Sequence, residues 1–246
     1  MQKEIKERVI KLLKKCKENH LPLSQNVDEL SALFASIVAI KAESYLEIGS
    51  ASGGSLYVLA HALPVGSRIC SVDYPYFPKR KKRLNNVVKT LRAEGYIVDL
   101  ILGDSHTTEI IERVKALSVE PFDVSFMDGD HSYIGVKQDY KDYSPFVKDG
   151  GLMAFHDVSV ITDYAKSIGS GEDFDSRVQL RKDCEVPKLW WELASKFKSL
   201  EINEGFSNYY GIGIIQKNVK DNKCNKISKY PDVSYGDYWD KINTEA

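Results

Sequence analysis

Residues 126–158, FMDGDHSYIGVKQDYKDYSPFVKDGGLMAFHDV, set two imidazoles beside two carboxylates: His131 stands three residues after Asp128, and His156 directly precedes Asp157. An imidazole titrates near neutrality, so a histidine flanked by carboxylates is suited to taking a proton from a substrate. Three of the five histidines, His106, His131 and His156, fall just past expected strand ends. A lone histidine reads as a hydrogen-bonded structural residue; two at successive strand ends beside aspartates point to a site.

A second chemistry-bearing stretch, SYLEIGSASGGSLYVLAHAL at 44–63, runs from an apolar strand through glycines into an apolar helix. Glycines let a backbone turn sharply and approach a ligand, and the helix that follows offers free N–H groups. The spacing Gly49, Gly53, Gly54 matches neither the phosphate-binding G-x-x-x-x-G-K-[ST] loop nor the dinucleotide G-x-G-x-x-G fingerprint. Glu47, two residues ahead of Gly49, disfavours a pyrophosphate and suits a cationic guest.

These residues need elements to hold them. Strand patterns at SYLEIG, SRICSVD, VDLILGD, FDVSFMDGD and GLMAFHD are each followed by a helical pattern, the last by PKLWWELASKF. Such alternation predicts an α/β, Rossmann-like doubly wound sheet, parallel with helices on both faces. Two closing strands, KSLEIN and YYGIGIIQK, have a short connection that makes them an antiparallel pair, which brings the total to seven. Ahead of the sheet, Ile5, Val9, Leu12, Leu13 and Cys16 mark an amphipathic helix; Pro22 breaks the chain before a second one, VDELSALFASIVAIKA. The expected organisation is a helical extension at 1–40, a main domain at 41–217 with an insertion at about 158–185, and an aromatic tail at 218–246. An insertion of that length suits a lid.

The turn EIGSASGG resembles the first motif of the class I S-adenosylmethionine-dependent methyltransferases, an acid-x-G-x-x-x-G turn. The resemblance covers roughly residues 40–217. It implies S-adenosylmethionine as cofactor, bound by the Glu47, Gly49, Ser50 and Gly53 turn. Asp73 in SVDYP would accept the ribose hydroxyls, Asp104 and Ser105 in LGDSH would meet adenine, and Asp128 would close the cofactor site. The D-G-D-H and G-G-x-x-x-x-H-D segments are similar to a subgroup that includes small-molecule and sugar O-methyltransferases. A small polar acceptor such as a sugar is therefore expected. In catechol-type relatives a lysine three residues after the first metal-binding aspartate assists deprotonation; the same count gives His131 as the base, with His156 second. Those relatives hold a divalent cation where Asp128, His156 and Asp157 stand. Hard magnesium prefers oxygen, so His156 departs from that pattern, and a softer metal or none fits an imidazole better.

Other classes are narrowed by composition. The 246 residues carry 34 basic and 35 acidic side chains, a formal charge of −1, which argues against nucleic acid and anionic membrane as partners. The basic run KRKKR at 79–83 opens an expected helix and reads as a solvated face, the alternative being a grip on a phosphorylated or nucleic-acid acceptor or on the adenosine edge. The charged N-terminus and short apolar runs predict a cytoplasmic protein, and four scattered cysteines predict reduced structural thiols. The N-terminal helix and the aromatic tail are each expected to pack on the chain's own domain or to provide the surface on which a second copy docks. Two rival readings are a nicotinamide-dependent oxidoreductase, which needs a closer glycine spacing, and a non-catalytic cofactor-binding protein.

Overall fold

All five residues of β1 (Ser44–Ile48) are buried, as a strand must be when sheet neighbours flank it on both sides and helices cover both faces. The computed structural model describes residues 2–23, 25, 27–74, 76–159, 184–202, 211–220 and the backbone of 224–227. Most of the expected insertion and most of the tail lie outside the described residues.

Five strands run parallel: β1, β2 (Arg68–Asp73), β3 (Ile97–Leu102), β4 (Phe122–Met127) and β5 (Val147–His156). β6 (Ser199–Ile202) and β7 (Ile212–Gln216) pair antiparallel, and β7 also lies antiparallel against β5. An eighth strand, β8 (Cys224–Ile227), joins the far side of β6 in parallel, inside the stretch expected to be tail. The order β3-β2-β1-β4-β5-β7-β6-β8 reverses direction between β1 and β4. That reversal opens a crevice at the carboxyl ends of those two strands, where open α/β sheets bind ligands.

Strand alternation splits the core in two. Tyr45, Ile69, Phe126 and Ile214 face one side, with Leu56 of α3 (Gly54–Ala60) and Leu84 of α4 (Pro78–Ala93). Leu46, Val72, Met127 and Phe155 face the other, under α5 (Thr108–Leu117), α6 (Tyr133–Tyr143) and α7 (Val186–Ala194). Of the paired tryptophans on α7, Trp190 is core: its indole N–H donates to Glu201 at 2.7 Å, and its ring fills the space a side chain at Gly213 would need.

The two leading helices belong to the first core. Ile5, Val9, Leu12 and Cys16 of α1 (Gln2–Glu18) recur every three to four residues and pack into one cluster with α2 (Val27–Ala39), α3 and the sheet. The apolar face of α1 is thus covered within the chain. No helix among the described residues is long and apolar enough to cross a membrane.

Candidate active site

The glycine turn and the end of β4 interlock. Gly49 N–H donates to the Val72 carbonyl at 2.8 Å, and Asp128 N–H donates to the Ile48 carbonyl at 2.8 Å. Gly49 takes φ +90°, and a Cβ there would lie 2.2 Å from the Asp128 carbonyl oxygen. Only glycine allows both the conformation and the approach. Asp73 ties the turn to β2 by accepting from Ala51 N–H at 2.7 Å. Burial raises its carboxyl above the ordinary range, against the pull of that hydrogen bond and of Arg80.

A cleft of about 670 Å³ opens over this crossing. Of the residues expected at a cofactor, Gly49, Asp73, Asp104, Ser105 and Asp128 line it, joined by His131 and Arg80. Glu47, Ser50 and Gly53 stand behind the wall. Glu47 is fully buried and accepts from Ser55 at 2.6 Å and from Tyr45 at 2.7 Å; burial pushes its carboxyl up to about 7. Ser50 is hydrogen-bonded to Ser71, and Gly53 packs on Val87. These three shape the turn from below. Tyr74 and Tyr76 stand edge to face at the mouth, their centroids 4.8 Å apart. Of the basic run, Arg80 reaches the cleft.

At the other end, Asp128, His131, His156 and Asp157 meet. His156 Nδ1 lies 3.1 Å from Asp128 Oδ1 and 3.6 Å from Asp157 Oδ2. His131 spans the same two carboxylates, Nε2 at 3.3 Å from Asp128 Oδ1 and Nδ1 at 3.2 Å from Asp157 Oδ2. Asp157 takes this place with φ +61°, a left-handed conformation that costs a non-glycine residue about 1–2 kcal/mol. Burial alone would raise the Asp128 carboxyl, but the two histidines overcome it and hold it at about 2. Burial would lower His156, yet the charge of Asp128 outweighs it and raises the imidazole to about 9. The hydrogen bond to Asp128 raises His131 as well, with burial opposing. The two histidines differ in access: the His131 side chain is 38% exposed, that of His156 only 3%.

Three contributors escaped the sequence reading. Gln25, between α1 and α2, donates its amide to Asp128 Oδ2 at 2.6 Å. Nothing in LPLSQN marks it, since an amide in a helix break has no pattern. Glu29 of α2 accepts from Gly211 N–H at 2.9 Å and adds negative charge near His156. Asp139 of α6 accepts from Ser105 at 2.8 Å and lies 3.1 Å from His106 Nε2, fixing the β3 loop. Burial pushes its carboxyl up to about 6. Its signal was a carboxylate on the helix face shared by Gly135, Val136 and Tyr143, which faces the sheet.

Magnesium is a poor match for Asp128, His156 and Asp157. The three offer two carboxylates and one buried imidazole, whereas magnesium demands near-octahedral oxygen.

Comparison with known proteins bears on the fold. Residues 46–158 match the family model described as a methyltransferase domain. An uncharacterised protein of Acanthamoeba polyphaga mimivirus is 28% identical over 114 residues, a match that spans 46% of this chain and about half, 51%, of that protein. Among solved structures, the O-methyltransferase TomG from Streptomyces achromogenes, with S-adenosylmethionine, superposes with TM-score 0.57 at 20% identity, over 86% of this chain and 90% of that one. The O-methyltransferase from Bacillus cereus, with S-adenosylhomocysteine, gives 0.56 at 18%, over 86% and 91%. The Podospora anserina methyltransferase PaMTH1 gives 0.57 at 18%, over 84% and 87%.

Proposed function

We propose, from the match of residues 46–158 to the methyltransferase-domain family model, that this chain methylates a hydroxyl of a small polar acceptor with S-adenosylmethionine as donor. The observation that carries the reading is one cleft that runs from Asp73, under the Gly49 turn, to His131. Its carboxylates suit a guest that is cationic and rich in hydroxyls, and a volume of this size suits a small-molecule site. Asp73 would hold the ribose hydroxyls, Asp104 and Ser105 the adenine edge, and Asp128 the reacting end. When bound, S-adenosylmethionine supplies an electrophilic methyl on a positively charged sulfur.

The protein's part is to position the acceptor and to receive its proton. His131 borders the cleft and is the base. Nδ1 lies 3.2 Å from Asp157 Oδ2, so in the neutral base a proton on Nδ1 directed at that carboxylate would leave Nε2 to take the hydroxyl proton. Asp128 Oδ1, 3.3 Å from Nε2, then stabilises the imidazolium. Buried His156, raised to about 9, keeps its proton at neutral pH and acts as a fixed cation that orients Asp128. Gln25 holds the other oxygen of the same carboxylate.

Calorimetry with S-adenosylmethionine, S-adenosylhomocysteine and NAD tests the cofactor. Micromolar binding of NAD alone would establish the oxidoreductase alternative, and cofactor binding with no transfer to a broad hydroxylated panel would establish the binding-module one. Asp73→Ala should weaken S-adenosylmethionine binding by about 2–4 kcal/mol, through loss of two charge-assisted hydrogen bonds. An unchanged affinity would place the ribose elsewhere.

His156 also links stability to pH. Its pKa is higher folded, about 9, than unfolded, about 6.5, so its contribution is complete below pH ~6.5 and is lost as pH rises towards 9. The ceiling on that loss is about 3 kcal/mol. Urea unfolding at stepped pH from about 6 to 9.5 should show the decline in the wild type and a flatter curve in His156→Gln. Equal slopes would assign the linkage to another group.

A further inference from the structure

We propose that His131, Asp157 and Cys184 form a binding site for a thiophilic divalent cation of the zinc class, and that its occupancy switches methyl transfer off. An imidazole nitrogen, a carboxylate oxygen and the Cys184 sulfur all lie within 4.8 Å of one another. Ligand atoms around tetrahedral zinc sit roughly 3.3–3.8 Å apart, so small side-chain rotations close the set. Nitrogen, oxygen and sulfur together select zinc-like ions over magnesium or calcium.

The site is held together by backbone as well as by side chains. Three separate segments supply it: the loop after β4, the end of β5, and the residue two before α7. The neighbour of Cys184 is pinned to the first of these, because Glu185 N–H donates to the His131 carbonyl at 2.7 Å and the Glu185 carboxylate accepts from Tyr133 N–H at 3.2 Å. Cys184 and Asp157 are both buried, with the cysteine sulfur 3.8 Å from the Asp157 carbonyl oxygen. His131 alone faces the cleft and leaves an open side through which an ion enters. Cys184 therefore has a use beyond filling space, which the scattered cysteine pattern concealed.

The inhibitory consequence follows from imidazole chemistry. A histidine that ligates a cation through one nitrogen carries its only proton on the other, and so cannot accept one from a substrate. Metal binding and base catalysis thus compete for His131. This half rests on His131 being the base; the binding half does not.

The test uses the full chain, reduced and metal-free. Titration with cobalt(II) should give a thiolate-to-cobalt charge-transfer band that saturates at one equivalent and is displaced by zinc but not by excess magnesium. The band should vanish in Cys184→Ser and persist in Cys16→Ser, Cys70→Ser and Cys224→Ser. Zinc should inhibit methyl transfer by the wild type. Cys184→Ser should keep the basal rate and need at least about tenfold more zinc for the same inhibition. No band in the wild type, a band that survives in Cys184→Ser, or displacement by magnesium would overturn the site. That wild-type titration decides even if a variant misfolds. A cobalt band with no detectable transfer to any acceptor would keep the site and remove the methyltransferase reading; transfer that zinc inhibits equally in both proteins would remove the switch.

Discussion

His131→Ala should lower the turnover number for methyl transfer by about 10²–10⁴-fold while leaving S-adenosylmethionine affinity nearly intact. The loss is confined to turnover because this imidazole interacts with the acceptor proton, not with the cofactor. A pH–rate profile gives the sharper reading. In the wild type the rate should rise with pH as His131 loses its proton, along an acidic limb displaced above the ordinary histidine range by Asp128. That limb should disappear in His131→Ala. His156→Ala should instead weaken acceptor binding and loosen Asp128 while retaining the limb. If His131→Ala keeps the limb and most of its rate while His156→Ala loses both, the two roles are exchanged. If neither variant loses rate, positioning alone performs the reaction.

Gly49→Ala should destabilise the fold by about 2–5 kcal/mol, combining strain at positive φ with overpacking against a backbone that has nowhere to go. The added carbon would meet the Asp128 carbonyl oxygen at 2.2 Å, the carbonyl carbon at 2.5 Å and the Gly129 Cα at 2.6 Å. A matched control is Gly66→Ala: φ is +93°, yet nothing lies within 4 Å of the added carbon. It should show the strain alone, about 1–2 kcal/mol. Urea unfolding of both variants separates the two contributions. Equal losses would mean that the crossing of β1 and β4 yields easily. A larger loss at Gly49, with cofactor binding weakened in parallel, ties the turn to the cleft it supports.

Which elements the sequence revealed follows from where they lie in the sheet. β1, β2, β4 and the second half of β5 are covered on both faces, so their apolar runs and the glycines and aspartates that end them stand out; β3, at the sheet edge, is partly exposed and stands out through its place in the alternation with helices. β8 did not stand out because CNKI is four residues of mixed polarity at a sheet edge, where burial imposes no pattern. At the site, Asp128, His131, His156 and Asp157 were legible as charged or titratable residues at strand ends, and the structure brings all four together. Gln25 and Glu29 were not, because their approach depends on how the leading helices dock, which no local spacing encodes. Cys184 was hidden for a related reason: its neighbours His131 and Asp157 are distant in sequence, and the fold brings them to it through the Glu185 anchor and the Asp157 carbonyl. Glu47 illustrates the opposite case, a motif residue whose type was informative but whose side chain turns away from the cleft into Ser55 and Tyr45.

The hydrogen bond from Gly211 to Glu29 joins residues 182 positions apart, and it has a meaning on the ribosome. At about 5–20 residues per second, α2 is made roughly 10–35 s before its partner on the approach to β7 exists. During that interval α1 and α2 can cover each other and then α3, all early in the chain, but the carboxylate of Glu29 must wait. The proton-handling cluster is likewise completed late, since Asp157 follows all of β1 to β5. A nascent chain therefore builds its cofactor turn before its reactive centre.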